Sequence, residues 1–245
     1  MIYSEFFVGE AVVGGMRFGG FAEYAVVSTE GLQKKPSHLS FSEAAAYQVA
    51  YLTAYVALVR RANLRPGETL LVHGASGGVG MAAVDIGKLL GAKIIATGGS
   101  DAKLQHVLAY GADHVINTEQ GFREQVKALT DGRGADVVYD PVGGDPFVAA
   151  LKCCRSEARY LVIGFASGDV PQIPANHLLV KNIAVLGFYW GGYLAFKPQV
   201  VRDSLAQLVT WHSEGALRPH ISHLLPFEQA EDGIDFLRAR ESTGK

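Results

Sequence analysis

The sequence predicts an α/β fold built around a doubly wound parallel sheet. From about Pro66 onwards, strand-like apolar runs alternate with longer helix-like segments, which is the pattern of repeated βαβ units. The predicted strands are apolar nearly throughout, as expected when helices cover both faces of a sheet. A glycine-rich turn, "GASGGVG", joins the first of these strands to its helix. Together these observations predict a Rossmann-type arrangement.

The predicted elements follow one another in a regular order. The strand "TLLVH" leads into a helix from Val79 to Leu90, and the strand "KIIAT" into a helix from Asp101 to Tyr110, each stopped by a glycine. The strand "HVIN" precedes a polar helix from Phe122 to Thr130. The strand "ADVVYD" precedes a helix that runs through Val148 to Cys153. The strands "RYLVIGF" and "NIAVLGFYW" complete the series.

The two ends differ from this pattern and predict parts of a second, β-rich domain. The N-terminal region carries the strand-like runs "EAVVGG" and "FGGFAEYAVVS". The tail from His220 predicts a short strand, a proline turn and an amphipathic helix from Phe227 to Arg240. Because roughly 30 residues of β structure cannot bury a core alone, these ends must pack on the central domain or on another chain. We therefore divide the chain into residues 1–45, 46–216 and 217–245.

The composition argues against several classes of function. The 245 residues have a formal net charge of −2 and no run of Lys or Arg, so a nucleic-acid partner is not expected. No apolar stretch approaches the roughly 20 residues of a membrane span, and no signal peptide is predicted. Cys153 and Cys154 are neighbours, which suits neither a disulfide nor a zinc site. The prediction is a cytoplasmic protein with reduced cysteines and no metal.

The glycine turn is the strongest local indication of function. Gly74, Gly77 and Gly80 have the spacing GxxGxxG and lie between a strand and a helix. Glycines allow a tight turn and a close approach of the backbone to a pyrophosphate, which then faces the free N–H groups of the next helix. A turn required only for packing is the alternative. The position in the first βα unit favours dinucleotide binding.

The end of the second strand indicates which dinucleotide is bound. NAD-binding proteins place an acidic residue there to hold the ribose diol, whereas this sequence reads "IIATGGSDAK". Gly99, Ser100 and Lys103 offer space, a hydroxyl and an ammonium group, which suit a 2′-phosphate and favour NADPH. Asp101 could instead reach a diol, or simply interact with the helix dipole. Lys103 could equally be an ordinary surface lysine.

The segment from Gly67 to Lys88, "GETLLVHGASGGVGMAAVDIGK", resembles the signature of the quinone oxidoreductase and ζ-crystallin branch of the zinc-free medium-chain dehydrogenase/reductases. Asp85 stands where that signature usually has glutamine. The likeness continues through "GGFAEYAVV", "AAAYQVAYLTAYVAL", "GADHVIN", "DVVYDPVGG", "RYLVIGFASG" and "STGK". The resemblance implies an NADPH-dependent reductase that transfers hydride to quinones or to other electron-poor conjugated alkenes and enones.

The resemblance also implies positions for the coenzyme. The pyrophosphate turn would be formed by Ser76, Gly77, Gly78 and Val79, and the 2′-phosphate corner by Gly99, Ser100 and Lys103. Thr118 stands where relatives often have an aromatic residue or histidine beside the adenine or ribose. The nicotinamide and its ribose would be lined by Thr53, Val142, Gly164, Phe165, Phe188, Tyr189 and Trp190. Several aromatic residues could equally be core residues: Tyr47, Tyr51, Phe188 and Trp190.

Zinc independence is expected because the stretch "AAAYQVAYLTAY" contains neither the cysteine nor the acid that zinc alcohol dehydrogenases place there, and because the four-cysteine lobe is absent. Relatives begin with a GroES-like catalytic domain, and this chain is expected to enter that domain near its end. The residues predicted for dinucleotide binding are present, whereas half the wall of the substrate cleft is expected to be missing.

Two classes of function therefore stay open. One is an NADPH-dependent reductase of a small quinone or enone, with no proton donor identified from the sequence. The other is a non-catalytic module or inactive fragment that binds NADPH. The apolar runs at both ends predict self-association, as a homo-oligomer and most simply a homodimer.

Overall fold

The computed structural model describes residues 6–16, 18–29 and 32–245. Strands β1 (Val12–Gly14) and β2 (Leu32–Lys34) form a small antiparallel pair at the start. Helix α1 (Phe41–Tyr55) follows and continues directly into a π-helical segment, Val56–Arg61. Ser40 caps α1 in a capping box with Glu43, so the serine hydroxyl and the glutamate each satisfy a backbone N–H group of the first turn.

The centre of the molecule is a six-stranded parallel sheet in the order β5-β4-β3-β6-β7-β8. The order reverses between β3 and β6, so the carboxyl ends of these two strands border the crevice in which open α/β sheets bind ligands. The strands are β3 (Thr69–Val72), β4 (Lys93–Gly98), β5 (His114–Asn117), β6 (Ala135–Asp140), β7 (Cys154–Val162) and β8 (Ala184–Gly187).

Helices alternate with these strands and then complete the described part of the chain. Four cross between successive strands on the way to β7 and one precedes β8, and the last three follow it. In chain order they are α2 (Gly78–Leu89), α3 (Asp101–Tyr110), α4 (Arg123–Leu129), α5 (Gly144–Cys153), α6 (Ala175–Lys181), α7 (Trp190–Phe196), α8 (Pro198–Ser213) and α9 (Ala230–Arg238).

The sheet has a hydrophobic core on each face, which confirms the predicted doubly wound arrangement. Leu70 and Val72 point into one cluster, with α1, α2 and α8, whereas Leu71 points into the other, with α4 and α5. All three side chains are fully buried. Burial of each such leucine or valine contributes about 1.5–3 kcal/mol, which explains why the strands are apolar at every position rather than at alternate ones.

The prediction of strands at the two ends was right for "EAVVGG", which contains β1, and wrong for the other two runs. Residues 18–28 belong to no strand of the structure, and Phe18, Phe21 and Tyr24 are exposed. A strand needs a hydrogen-bonded neighbour, and the small sheet consists of β1 and β2 alone in the described part of the chain. In the tail, the predicted short strand is reduced to a single bridge between Ile221 and Gly244. The division into three domains stays a prediction.

The helices formed by the described residues include none that is long and apolar enough to cross a membrane. The cytoplasmic location stays a prediction.

Asp85, the residue that departs from the glutamine of the family signature, joins three helices. Its Oδ2 atom accepts hydrogen bonds from the Tyr51 hydroxyl on α1 (2.8 Å) and, at longer range, from the Tyr110 hydroxyl on α3 and the Arg218 N–H. The Tyr110 hydroxyl also donates to the Arg218 carbonyl. Burial raises the pKa of the Asp85 carboxyl, although these hydrogen bonds oppose the shift.

We expect Asp85→Asn to flatten the pH dependence of stability. A carboxyl whose pKa is raised on folding holds its proton in the folded protein above the unfolded value of about 3.9, so the wild-type free energy of unfolding falls as pH rises through the interval between the two pKa values. The variant lacks this loss, which amounts to about 1.4 kcal/mol for every pH unit that separates the folded pKa from the unfolded one. It also keeps an oxygen for the Tyr51 hydroxyl.

Urea unfolding from about pH 4 to about pH 8 measures this difference. The control is Asp203→Asn, which makes the same substitution at an exposed carboxylate. Stability curves for Asp85→Asn that run parallel to those of the wild type would contradict the expectation.

Candidate functional site

The glycine turn lies at the carboxyl end of β3, beside the point where the strand order reverses. Gly74 has φ +56°, in the left-handed region, and its carbonyl accepts a hydrogen bond from the Gly77 N–H at 3.0 Å. The Ala75 N–H donates to the Thr97 carbonyl of β4 at 3.0 Å, which ties the turn to the neighbouring strand. Gly77 is the N-cap of α2. The turn is therefore rigid and ends at a helix N-terminus.

The first N–H groups of α2 are available to a ligand because an α-helix gives them no intrahelical partner. They belong to Gly78, Val79 and Gly80. A Cβ atom at Gly80 would overlap the Gly74 carbonyl oxygen and lie 2.7 Å from the Ala75 Cα. The third glycine therefore allows α2 to pack directly on the turn. These donors, together with the positive end of the helix dipole, form an anion-binding surface.

His73, which precedes the turn, is a buried core residue. It is fully buried in contact with Phe122, and its Nδ1 atom lies 2.7 Å from the Thr97 hydroxyl. Burial lowers the pKa of this imidazole, partly offset by the charge of Asp140, so the ring is neutral near pH 7.

The C-terminal segment, residues 240–245, packs on the glycine turn, a contact that was not predicted from the sequence. The Gly244 N–H donates to the Ser76 carbonyl at 2.8 Å. The side chain of Lys245 lies over the start of α2, because a Cβ atom at Gly78 would be 2.8 Å from the Lys245 Cε. This placement brings a cationic side chain to the anion-binding surface. No local pattern relates the segment "STGK" to a turn so far away in sequence.

The corner at the end of β4 also contacts this segment. Ser100 caps α3, its hydroxyl accepting from the Lys103 N–H at 3.5 Å. The Lys103 ammonium donates to the carbonyls of Arg240 and, at 3.1 Å, of Ser242. A Cβ atom at Gly99 would meet none of the described residues within 4 Å, so the space beside this glycine is open. The corner therefore combines open space, a hydroxyl and an ammonium group held in place.

Asp101 and Thr118 lie at the same corner, and the side chain of each forms a hydrogen bond within the protein. The Asp101 carboxylate accepts a hydrogen bond from the Asn117 side-chain amide at 2.9 Å. The Thr118 hydroxyl donates to the Gly98 carbonyl at 3.3 Å. The Asp101 carboxylate therefore already has a protein partner at the end of β5.

Beyond the reversal point, Asp140 organises the loop that follows β6. Its Oδ1 atom accepts from the N–H groups of Val142 (2.7 Å) and Gly143 (3.0 Å), and its Oδ2 atom accepts from the buried Tyr160 hydroxyl (2.7 Å). Val142 is held close to the glycine turn, because a Cβ atom at Gly74 would be 3.0 Å from the Val142 Cγ2. This positioning role of Asp140 was not predicted from the sequence.

A cavity of about 1090 Å³ opens at the carboxyl ends of β7 and β8. Predicted site residues that line it are Gly164, Phe165, Phe188 and Tyr189. Two further predicted residues are placed differently. Trp190 begins α7 half-buried against the core, and Thr53 is buried within α1; neither is among the described residues that line this cavity.

The structure thus groups most of the predicted residues into three adjoining regions along the carboxyl edge of the sheet: the glycine turn, the corner after β4, and the loops after β6, β7 and β8. A parallel sheet with a glycine turn at its reversal point and a polar corner on the next strand defines a Rossmann-type α/β domain.

Comparison with known proteins agrees with this class. The zinc-binding dehydrogenase family matches residues 78–210. "Quinone oxidoreductase-like protein 2" of Bos taurus is 40% identical over 239 residues, covering 97% of this chain and 68% of that protein. The "quinone oxidoreductase-like protein 2 homolog" of Nematostella vectensis is 42% identical over 230 residues, covering 93% of this chain and 63% of that protein.

A solved structure supports the same assignment. The quinone oxidoreductase of Thermus thermophilus, described together with its complex with NADPH, superposes with a TM-score of 0.86 at 33% identity, covering 98% of this chain and 76% of that one. The chain belongs to the zinc-binding dehydrogenase family and, within it, to the quinone oxidoreductase-like branch, as predicted. It spans about two thirds of the length of the relatives named above.

The matched family is named for zinc binding, whereas zinc independence is predicted for this chain. No group of three or more His, Cys, Asp or Glu residues that could hold a metal ion occurs within residues 6–16, 18–29 and 32–245. Zinc independence stays a prediction.

Proposed function

We propose that this chain binds NADPH along the carboxyl edge of its sheet, and that it belongs to a zinc-independent reductase of quinones or of other electron-poor conjugated enones. The observation that carries the proposal is the pairing of the glycine turn with the Ser100–Lys103 corner on the adjacent strand. This pairing offers donors for a pyrophosphate and a cation for a 2′-phosphate, at neighbouring positions of one rigid sheet.

The pyrophosphate would bind at the start of α2. The free N–H groups of Gly78 and Val79 donate to it, and Lys245 adds a positive charge. The lack of a side chain at Gly77 and Gly78 lets the phosphate oxygens approach the backbone. This set of N–H and cationic donors suits a diphosphate better than a neutral ligand.

The adenosine end would bind at the corner after β4. Lys103 supplies an ammonium group and Ser100 a hydroxyl for the 2′-phosphate, with room beside Gly99. Asp101, the alternative ligand for a ribose diol, is held by Asn117. This arrangement supports NADPH over NADH. Thr118 would border the adenosine without stacking on it.

The nicotinamide end would lie at the loops after β6 and β7 and extend into the cavity. Asp140 fixes the loop that carries Val142, and Phe165 and Phe188 supply apolar surface that excludes water from the reacting atoms. We also propose that Trp190 and Thr53 lie next to the nicotinamide without lining the cavity. Trp190 would contribute its backbone at the start of α7, and Thr53 would lie behind the site in α1. When bound, NADPH supplies the hydride, and a solvent proton completes the reduction of the acceptor.

A non-catalytic module that binds NADPH is the second candidate. It is favoured by the composition of the cavity, because the described residues that line it include no Asp, Glu, His or Cys side chain, which leaves the hydroxyls of Tyr189 and Tyr193 and the Lys197 ammonium as the side-chain proton donors of that lining. A homodimer of this chain stays part of the proposal, supported by exposed apolar side chains such as Leu179 and Val180 near the edge strand β8.

Titration of the chain with NADPH and NADH separately, followed by coenzyme fluorescence, tests the binding proposal. We expect NADPH to bind at least about 10-fold more tightly, because a charge-assisted contact contributes about 1.5–3 kcal/mol. Equal affinities would contradict the 2′-phosphate corner, and no binding would contradict both candidates. Oxidation of NADPH on addition of 1,4-benzoquinone would support the reductase, and tight binding without oxidation would support the non-catalytic module.

A further inference from the structure

Cationic side chains line the large cavity, and none of them lies among the residues proposed to bind NADPH. They are Arg60, Arg61 and Lys197, and the described part of the lining contains no carboxylate to balance their charge. None of the ion pairs among the described residues involves them. The cavity therefore carries an uncompensated positive charge at the end where the hydride acceptor would enter.

The two arginines are presented by a rigid element of unusual geometry. The π-helical segment is anchored by Val56, Ala57 and Leu58, which are fully buried, and it ends with the Ala62 N–H donating to the Ala57 carbonyl at 2.9 Å. π-helical turns are rare and occur frequently at functional sites. The consecutive residues Arg60 and Arg61 thereby reach one cavity from the last turn of the segment.

The three cationic side chains differ in whether they form hydrogen bonds to the protein. The Arg61 guanidinium donates to the Gly187 carbonyl at 3.3 Å, which holds it at the end of β8. The exposed side chains of Arg60 and Lys197 have no hydrogen-bond partner within the described part of the chain. Arg61 is therefore a positioned cation, and Arg60 and Lys197 remain free to contact a ligand.

The remaining walls favour a conjugated ligand. Phe165, Tyr189 and Phe196 line the same cavity, and their rings provide apolar, π-rich surface. A guanidinium group matches the geometry of a carboxylate or phosphate, with which it forms paired hydrogen bonds. An aromatic wall with a cationic rim suits a molecule that is conjugated at one end and anionic at the other.

We infer that the acceptor is a conjugated carbonyl compound that carries an anionic group, a carboxylate or a phosphate ester, bound by Arg60, Arg61 and Lys197. The inference rests on the proposed function, since it assigns the substrate class of the same site. It adds a specificity determinant: the anion is recognised at the cavity rim, away from the Lys103 and Lys245 contacts proposed for the coenzyme.

A matched set of enones tests this inference. The probes are 4-phenylbut-3-en-2-one, the analogue with a carboxylate at the para position of the ring, the methyl ester of that acid, and the analogue with a phosphate ester at the same ring position. Their affinities are measured by calorimetry, with and without NADPH, so that the result does not depend on turnover. We expect the carboxylate to bind at least about 10-fold more tightly than its methyl ester at low salt, with the ratio shrinking as ionic strength rises. The phosphate ester shows whether phosphate or carboxylate is preferred.

Variants identify the residues responsible. Arg60→Gln and Lys197→Gln should each reduce the carboxylate-to-ester affinity ratio about 3- to 10-fold. Arg133→Gln, a cation at the opposite edge of the sheet, should leave the ratio at its wild-type value. A carboxylate that binds no better than its ester, or a ratio that survives when Arg60→Gln and Lys197→Gln are combined, would overturn the inference. Reduction of the neutral enone by NADPH reports separately on the proposed function.

Discussion

Gly80→Ala is expected to destabilise the protein by about 3 kcal/mol and to abolish binding of NADPH. The new Cβ atom would overlap the Gly74 carbonyl oxygen and lie 2.7 Å from the Ala75 Cα. Both neighbours are backbone atoms of a turn tied to β4, so neither can move aside as a flexible side chain would. α2 must shift away from the turn, and its N–H groups then lose their alignment. For a chain of this size the melting temperature should fall by about 6–12 °C.

Gly77→Ala is the matched control for this effect. Gly77 has φ −81°, which alanine adopts without strain, and a Cβ atom there lies 3.5 Å from the nearest atom, an ordinary contact. This variant should melt within about 2 °C of wild type, yet bind NADPH at least about 10-fold more weakly, because the methyl group occupies the side of the turn that the pyrophosphate approaches. Thermal unfolding and coenzyme titration measure both variants. A Gly80→Ala protein with wild-type melting would contradict the packing argument, and a Gly77→Ala protein with wild-type affinity would contradict the pyrophosphate site.

Lys103→Gln is expected to remove most of the preference for NADPH. The ammonium group is positioned beside the corner by the Ser242 carbonyl, 3.1 Å away, so it is preorganised for a 2′-phosphate. Its loss should weaken NADPH binding about 10- to 100-fold and NADH binding less than about 3-fold.

The comparison between coenzymes separates a binding role from a structural one. If Lys103 only fastened the C-terminal segment to α3, both coenzymes would lose affinity equally, and that result would contradict the assignment. Lys93→Gln removes a lysine at the amino end of β4, on the opposite edge of the sheet, and should change neither affinity. Asp101→Asn should likewise leave NADH binding unchanged, because the carboxylate is already engaged by Asn117.

The central sheet could be predicted because its signals are local. Helix α3 has the predicted bounds, Asp101–Tyr110, since Ser100 caps one end and Gly111, with φ +134°, closes the other. Strand β5 also matches. Strand β7 begins at Cys154, well before the predicted Arg159, because Cys154 pairs with Ala135 of β6 ahead of a register shift, and regular pairing resumes at Arg159 opposite Val137. That pairing depends on a neighbouring strand and leaves no apolar run to recognise.

The candidate site was predictable to a similar extent and for a similar reason. The glycine turn and the Ser100–Lys103 corner are short patterns with direct physical meaning. Contacts between distant segments were not predicted: Gly244 on the turn, Tyr160 on Asp140, and the convergence of Arg60 with Lys197 on one cavity. Each depends on how the elements pack, which no short stretch of sequence encodes.

The contacts of the C-terminal segment have a consequence for the order of events during synthesis. Lys103 and Ser242 are 139 residues apart, and Gly244 must reach Ser76 across a still longer separation. Contacts of such high sequence separation form late, after most loop-closure entropy has been lost. A ribosome-bound chain can therefore fold its first βα units long before the turn and the corner acquire these partners. The nascent protein should gain its full affinity for the coenzyme only once translation has passed residue 244.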